Sequence, residues 1–146
     1  ALKMFKIIVM EIYTGYIANI KKYKFWGLYP IFICRYPPAK WNESIEPMIN
    51  WLPQLAPSGP LLSRVKYKGM SFEEYSEEYI KELYQGGRFP AEKWVKSLDN
   101  LQMKVRNDLI LCCYEADPLR CHRSVLADFL NEARPDNHQI TEYLLG

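Results

Sequence analysis

The chain has 146 residues, of which 49% are hydrophobic and 25% charged, proportions that are typical of one globular domain with a single apolar core. Nineteen basic and seventeen acidic side chains leave a formal charge of +2, too balanced for the broad positive field of a nonspecific nucleic-acid binder. No apolar run reaches the roughly 18 residues of a membrane span, and the N-terminus lacks the pattern of a signal peptide. We therefore expect a cytoplasmic protein with one domain over residues 4–146, residues 1–3 being a cloning remnant.

The first half of the chain predicts two buried strands. Residues 5–13 (FKIIVMEIY) and 29–35 (YPIFICR) are rich in β-branched and aromatic side chains, as strands of a parallel sheet are. Between them, residues 15–24 carry apolar side chains at helical spacing and predict a short helix or turn. Residues 36–60 contain six prolines, which restrict the backbone, so we expect a shaped loop with one helix over residues 44–51 that forms a lid or wall of a cleft.

The second half predicts three helices and two further strands. Ser71 and Glu74 form a capping-box pattern ahead of apolar residues on one face, so we expect a helix over residues 72–84 that ends at Gly86 and Gly87. The remaining elements are a helix over residues 90–104, a strand over 108–114, a helix after residue 121 and a short strand over 139–144.

Strands that alternate with helices indicate an α/β fold with a small, mostly parallel sheet of three to four strands flanked by helices. Ligands of such sheets bind beyond the carboxyl ends of the strands. We therefore expect residues 13–16, 35–36 and 115–123 to meet at one edge of the sheet.

Residues 109–130 (LILCCYEADPLRCHRSVLADFL) pass from an apolar strand through a charged turn into an amphipathic helix that starts at Cys121, His122 and Arg123. The backbone N–H groups of a first helical turn lack intrahelical partners and lie at the positive end of the helix dipole, so an anionic group fits there. The same field favours the thiolate of Cys121. The spacing between the cysteines and Arg120 does not fit the loop of a phosphatase or a rhodanese, and we exclude both.

The run CYEADPLRCHRSVLADFL resembles the signature of the domain-of-unknown-function 488 (DUF488) family, in which a strand ending in Cys-Tyr-Glu leads to Cys-His-Arg on a helix. YTGY at residues 13–16 is similar to that family's Tyr-Thr-Ser-Tyr, with Gly15 in place of serine, and ICRYPPAKW at residues 33–41 resembles its Arg-and-Pro segment. The resemblance implies a small α/β domain with a polar cleft and no settled activity. The residues it marks are Arg35, Glu115, Cys121, His122 and Arg123.

These residue types predict a site for a small anionic ligand, phosphate- or nucleotide-containing, beside the Cys-His-Arg helix start. Arg35 and Arg123 are the expected clamp for the charge, and Tyr13 and Tyr36 are candidate ligand contacts. The competing interpretation is that each arginine pairs with an acid and that each tyrosine belongs to the core.

The candidate catalytic residues are His122, Glu115 and Cys121. His122 and Glu115 would carry protons, although Glu115 is equally suited to an ion pair. Cys121 is either a thiolate contact, a nucleophile or an inert packed thiol. The residue types leave open whether the bound ligand is turned over.

The four cysteines, Cys34, Cys112, Cys113 and Cys121, are expected to be reduced, because a core of this size needs no disulfides. Cys34, Cys113, Cys121 and His122 would suit zinc as ligand types, but the chain has no Cys-x-x-Cys pair. We therefore predict neither a metal nor a cofactor.

A second class of function is a noncatalytic nucleic-acid or protein interaction module that uses exposed basic side chains beside aromatic residues. Its candidate residues are Lys21, Lys22, Lys24, Arg64, Lys66 and Lys68. The near-neutral net charge makes nucleic acid the less favoured partner. Binding through phosphate contacts weakens steeply with salt, whereas a small-ligand pocket responds much less, so salt dependence separates the two classes.

Overall fold

A parallel four-stranded sheet with the strand order β2-β3-β1-β4 forms the centre of the protein, as seen in a computed structural model that describes residues 10–36, 51–84 and 90–144. The strands are β1 (Ile12–Tyr16), β2 (Tyr29–Phe32), β3 (Leu109–Cys113) and β4 (Thr141–Glu142). Five α-helices lie within the same ranges: α1 (Ile20–Phe25), α2 (Gly59–Lys68), α3 (Phe72–Tyr84), α4 (Ala91–Val105) and α5 (His122–Asn131). The predicted α/β class and the parallel sheet are confirmed.

The sheet separates two apolar clusters, because successive residues of a strand point to opposite faces. Leu109, Leu111 and Cys113 of β3 face the larger cluster, which α2, α3, α4 and α5 complete. Ile110 and Cys112 face a smaller cluster beneath α1. With a strand on either side and helices on both faces, β3 is buried along its whole length, which explains its continuously apolar sequence.

Serines start the two helices that cover the larger cluster from residues 59 to 84. The Ser71 hydroxyl accepts a hydrogen bond from the Glu74 N–H at 3.1 Å and donates to Glu74 Oε1 at 3.3 Å, so Ser71 caps α3 as the sequence pattern predicts. Ser58 caps α2 by accepting from the Leu61 N–H at 3.2 Å. Sequence analysis missed α2, whose proline in the first turn suits a helix start rather than a loop.

Two predicted strand ends are wrong by three residues each, and β3 and β4 are shorter than predicted by one and two residues at each end. β1 continues past Tyr13 to Tyr16, because its last residues pair with the end of β3. β2 ends at Phe32 rather than at residue 35, because β3 ends one residue beyond the Phe32 partner, Cys112. Residues 5–9 of the first predicted strand, the predicted helix before Trp51 and the glycines at 86 and 87 lie outside the described residues. Within the described part of the chain, no helix has the length and apolar character needed to cross a bilayer.

Gly15 occupies a point of β1 that has no room for a side chain. A Cβ atom there would lie 2.6 Å from the Tyr23 hydroxyl oxygen and 2.7 Å from Cδ1 of Ile110. The Tyr23 hydroxyl also accepts a hydrogen bond from the Tyr16 N–H at 3.0 Å, which keeps the ring in place. Residue 15 is therefore a glycine because the hydroxyl of Tyr23, on α1, occupies the space that a serine side chain would need.

We expect Gly15→Ala to lower the free energy of unfolding by about 1–3 kcal/mol, the usual cost of overfilling a packed site. Since the Tyr23 hydroxyl is the nearest obstacle, Tyr23→Phe should recover part of that loss in the double variant. Chemical denaturation of the two single variants and the double variant measures the coupling. Strictly additive losses would contradict the clash that we assign to the hydroxyl.

Candidate functional site

A cavity of about 460 Å³ opens beyond the carboxyl ends of β2 and β3, at the start of α5. Cys34, Cys121 and His122 line its floor, and an apolar wall comes from α2, α3 and the turn between them. The rim consists of Arg35, Tyr36, Tyr114, Glu115 and Arg120. Two of the three segments expected at this edge therefore meet there: residues 35–36, and Glu115 and residues 120–122 from the segment 115–123.

Tyr13 and Arg123 are not among the residues that line the cavity, whereas the other five predicted site residues are. Tyr13 lies near the amino end of β1 and packs beside the smaller cluster, with its ring edge-on to Tyr143 at 5.0 Å. Residues 13–16 belong to β1 itself, and the chain after them turns into α1 beside the smaller cluster, so none of the four lines the cavity.

Arg123 is completely buried, and the protein itself uses its guanidinium. Nε and Nη2 donate to the two carboxylate oxygens of Glu142 at 2.9 and 2.8 Å. Nη1 donates to the Glu115 carbonyl and to Cys113 Sγ, and Nη2 also donates to the Ala116 carbonyl at 3.2 Å. A guanidinium has five N–H donors, and these five contacts leave none for a ligand. We therefore assign Arg123 a structural role.

Glu142 is the important residue that sequence analysis missed. It lies in β4 opposite Thr14 of β1, and the Thr14 hydroxyl donates to its Oε1 at 2.8 Å. The carboxylate thus connects the edge strand, the next strand and the start of α5. The sequence did offer a signal for this pair. Glu142 is the one acidic residue of the short predicted strand, and Arg123 in the first turn of α5 needed a counter-ion.

His122 is held in one orientation at the floor of the cavity. Its Nε2 lies 2.6 Å from the Ile33 carbonyl oxygen, which can only accept, so Nε2 carries the proton. Nδ1 is therefore an acceptor and lies 3.8 Å from Cys121 Sγ. Burial, aided by the charge of Arg123, lowers the pKa of His122 to about 4, against the hydrogen bond to Ile33, which raises it. The imidazole is neutral at physiological pH, with its free lone pair beside sulfur.

A disulfide joins Cys113 at the end of β3 to Cys121 at the start of α5. The expectation of reduced cysteines is therefore wrong for this pair, because the turn after β3 returns Cys121 over the strand end. Cys121 precedes α5 and has an extended backbone, with φ −123° and ψ 145°. Helical geometry therefore does not set the angle between the Cys121 and His122 side chains. Cys34 and Cys112 are free and buried, and burial raises the pKa of both, that of Cys34 to about 11.

The rim of the cavity carries charges that the protein only partly uses. Arg35 donates from Nε to the Pro57 carbonyl at 3.1 Å and from Nη2 to the Ala56 carbonyl at 3.3 Å, and its Nη1 has no acceptor among the described residues. The Arg120 side chain is 81% exposed, and its nearest acid, Asp117, is 3.9 Å away. The carboxylate of Glu115 forms no ion pair within the described part of the chain.

Comparison with known proteins agrees with the sequence signature. A family model described as the active DUF488-N3 subclade matches residues 21–134, well over half of the chain. The match includes α1 except its first residue, β2, β3 and the cavity, but neither β1 nor Glu142. No curated protein and no solved structure matches the chain significantly.

We expect Glu142→Gln to lower the free energy of unfolding by about 3 kcal/mol, because it leaves a buried guanidinium without its counter-ion. Asp99→Asn is the matched control, since Asp99 is half exposed and has one contact with buried Arg134, at 3.3 Å. Asp99→Asn should lower the free energy of unfolding by less than about 1 kcal/mol. Denaturant titration measures both, and equal losses would show that the Arg123 pair is not special.

The lowered pKa of His122 predicts that the free energy of unfolding of the disulfide-bonded protein decreases in acid. The unfolded chain protonates this residue near pH 6.5 and the folded protein near pH 4, so the unfolded state binds more protons between these values and stability falls as the pH falls. The stability advantage of the wild type over His122→Gln should shrink by up to roughly 3 kcal/mol across that window. Denaturation at both ends of the window tests this, and a constant difference would contradict it.

Proposed function

This chain belongs to the DUF488 family, and we propose that it binds a small anionic ligand, phosphate- or nucleotide-containing, in the cavity beyond β2 and β3. The observation that carries the proposal is the pair of rim arginines, Arg35 and Arg120, whose guanidinium groups retain unused donors beside an apolar wall.

The anionic end of the ligand would lie between Arg35 and Arg120. Carbonyl contacts hold Arg35 in place while leaving Nη1 free among the described residues, so its donor is already oriented. Arg120 makes only a long, exposed contact with Asp117, which a ligand can replace at little cost. Planar guanidinium groups bind carboxylate and phosphate oxygens in pairs, so two arginines favour a phosphate over a neutral group. In this proposal Arg120 takes the part that sequence analysis gave to Arg123.

The apolar end of the ligand would pack on the opposite wall. Leu62, Val65, Met70 and Phe72 form that wall, and exposed Tyr36 lies at the rim where a planar group can stack. A volume of about 460 Å³ falls within the range of roughly 300–1,000 Å³ for small-molecule sites. Together, a cationic rim and an apolar wall suit a nucleotide better than inorganic phosphate.

Glu115 and Cys121 are the groups that would give this site a reaction. The Glu115 carboxylate lines the cavity without an ion pair in the described residues, so it is placed to accept a proton from a bound ligand. His122 would act through Cys121, because its Nδ1 points to that sulfur, and thiol chemistry would first require the disulfide to open. The family model that matches the chain describes an active subclade, which supports the proposal of a reaction at this site. A cytoplasmic location stays a prediction.

The alternative is a noncatalytic nucleic-acid or protein interaction module, and α1 is the feature that favours it. Lys21, Lys22 and Lys24 are exposed there, and Phe25 and Trp26 beside them are 83% and 62% exposed. Aromatic rings next to lysines are suited to stacking on bases between phosphate contacts.

Calorimetric titration of ATP and of inorganic phosphate tests the proposal. We expect Arg120→Gln and Arg35→Gln each to weaken ATP binding by about 10-fold or more, as loss of a charge-assisted hydrogen bond does. Lys96→Gln, an exposed change on α4 away from the cavity, is the control and should leave binding unchanged. Equal binding by all variants, or no binding by the wild type, would remove the proposal. Binding that weakens steeply as salt rises, and that Lys22→Gln weakens while the two arginine variants do not, would favour the alternative.

A further inference from the structure

We propose that Cys113, Cys121 and His122 form a binding site for a soft divalent cation, zinc above all, when the disulfide is reduced. The two sulfurs and one ring nitrogen are buried and all lie within 4.8 Å of one another, and Cys121 and His122 line the floor of the cavity. This inference goes beyond the proposed function and does not rest on it, since it concerns the floor of the cavity and not the arginines of the rim.

The disulfide shows that the two sulfurs are neighbours on rigid parts of the fold. Cys113 ends the fully buried strand β3, and Cys121 is the residue before α5. A phosphine breaks the S–S bond by supplying two electrons, and water supplies two protons and an oxygen atom, giving two thiols and the phosphine oxide. A divalent cation then displaces those two protons as two metal–sulfur bonds form. The reduced pair is thus a chelating dithiolate.

His122 is already arranged as a third ligand. Histidines that bind metals donate their other ring N–H to a carboxylate or a backbone carbonyl, which fixes the tautomer and the ring orientation. Here Nε2 donates to the Ile33 carbonyl, and Nδ1 is left beside the sulfur of Cys121. The Tyr79 ring, edge-on to the imidazole with centroids 5.5 Å apart, restricts the ring further.

The charge and the donor set suit zinc. Two thiolates neutralise a divalent cation, and Nη1 of Arg123 already donates to Cys113 Sγ at 3.4 Å, a contact that would stabilise a thiolate. Two sulfurs and one imidazole form a soft set that zinc accepts, whereas magnesium and calcium prefer oxygen. The site therefore selects for the cation class by its ligand atoms.

The fourth coordination position would face the cavity, because Cys121 and His122 line it. Zinc sites with three protein ligands and one open position bind water or an exogenous molecule there. A cation held in this way would lie at the floor of the same cavity that has the arginines at its rim.

The test uses the full chain, stripped of metal and reduced with a phosphine, and zinc alone as the probe. Because all four cysteines are buried, thiols are counted after unfolding in denaturant, and the count should rise from two before native reduction to four after it. We expect the reduced protein to bind one equivalent of zinc in competition with a chromophoric chelator and the oxidised protein to bind none. Cobalt in place of zinc should give a thiolate-to-cobalt charge-transfer band.

Cys121→Ser and His122→Gln should weaken zinc binding by more than the 10–100-fold that is typical of residues behind the ligands. Cys112→Ser is the matched control, since Cys112 is equally buried but faces the other side of the sheet. Circular dichroism establishes that each variant folds, and if Cys121→Ser does not, the reduced and oxidised wild type supply the comparison. A disulfide that resists native reduction, a reduced protein that binds no zinc, or an equal loss in Cys112→Ser would each overturn the proposal.

Discussion

The buried guanidinium of Arg123 is the interaction on which the shape of the cavity depends. Transfer of a charge out of water costs several kcal/mol, so such a group is tolerated only when its hydrogen bonds are complete. Arg123 meets this condition by binding the turn after β3 through two carbonyls and β4 through Glu142. The turn that carries Glu115 and Arg120 is therefore fixed by its backbone, which leaves the side chains of both residues available at the rim.

The difference between neighbouring residues of the Cys-His-Arg run follows from their depth. Arg123 points into the protein, where contacts with other residues use all its donors, whereas His122 lies between the backbone of residue 33 and the sulfur of Cys121. Arg120, only a few residues earlier, is exposed and nearly unpaired. Three basic side chains in one short segment thus have three separate tasks, and residue type alone does not distinguish them.

The sequence was sufficient for features that depend on local pattern. Periodicity and capping predicted α3, α4, α5 and the short β4, and alternating strands and helices predicted the parallel sheet. Contacts between residues that are distant in the chain could not be predicted from the sequence. The partner of Arg123 is 19 residues further along, and Gly15 depends on a tyrosine of the next helix. The disulfide depends on how the turn after β3 folds back, which spacing does not specify.

The position of Glu142 also gives the cavity an order of assembly. A chain that emerges from the ribosome exposes Arg123 before it exposes Glu142, because the carboxylate is encoded later. A domain folds as a unit, and a guanidinium is not stably buried before a carboxylate is there to pair with it. The β3–α5 turn therefore cannot reach its final packing until the edge strand pairs with β1 and brings Glu142 to Arg123.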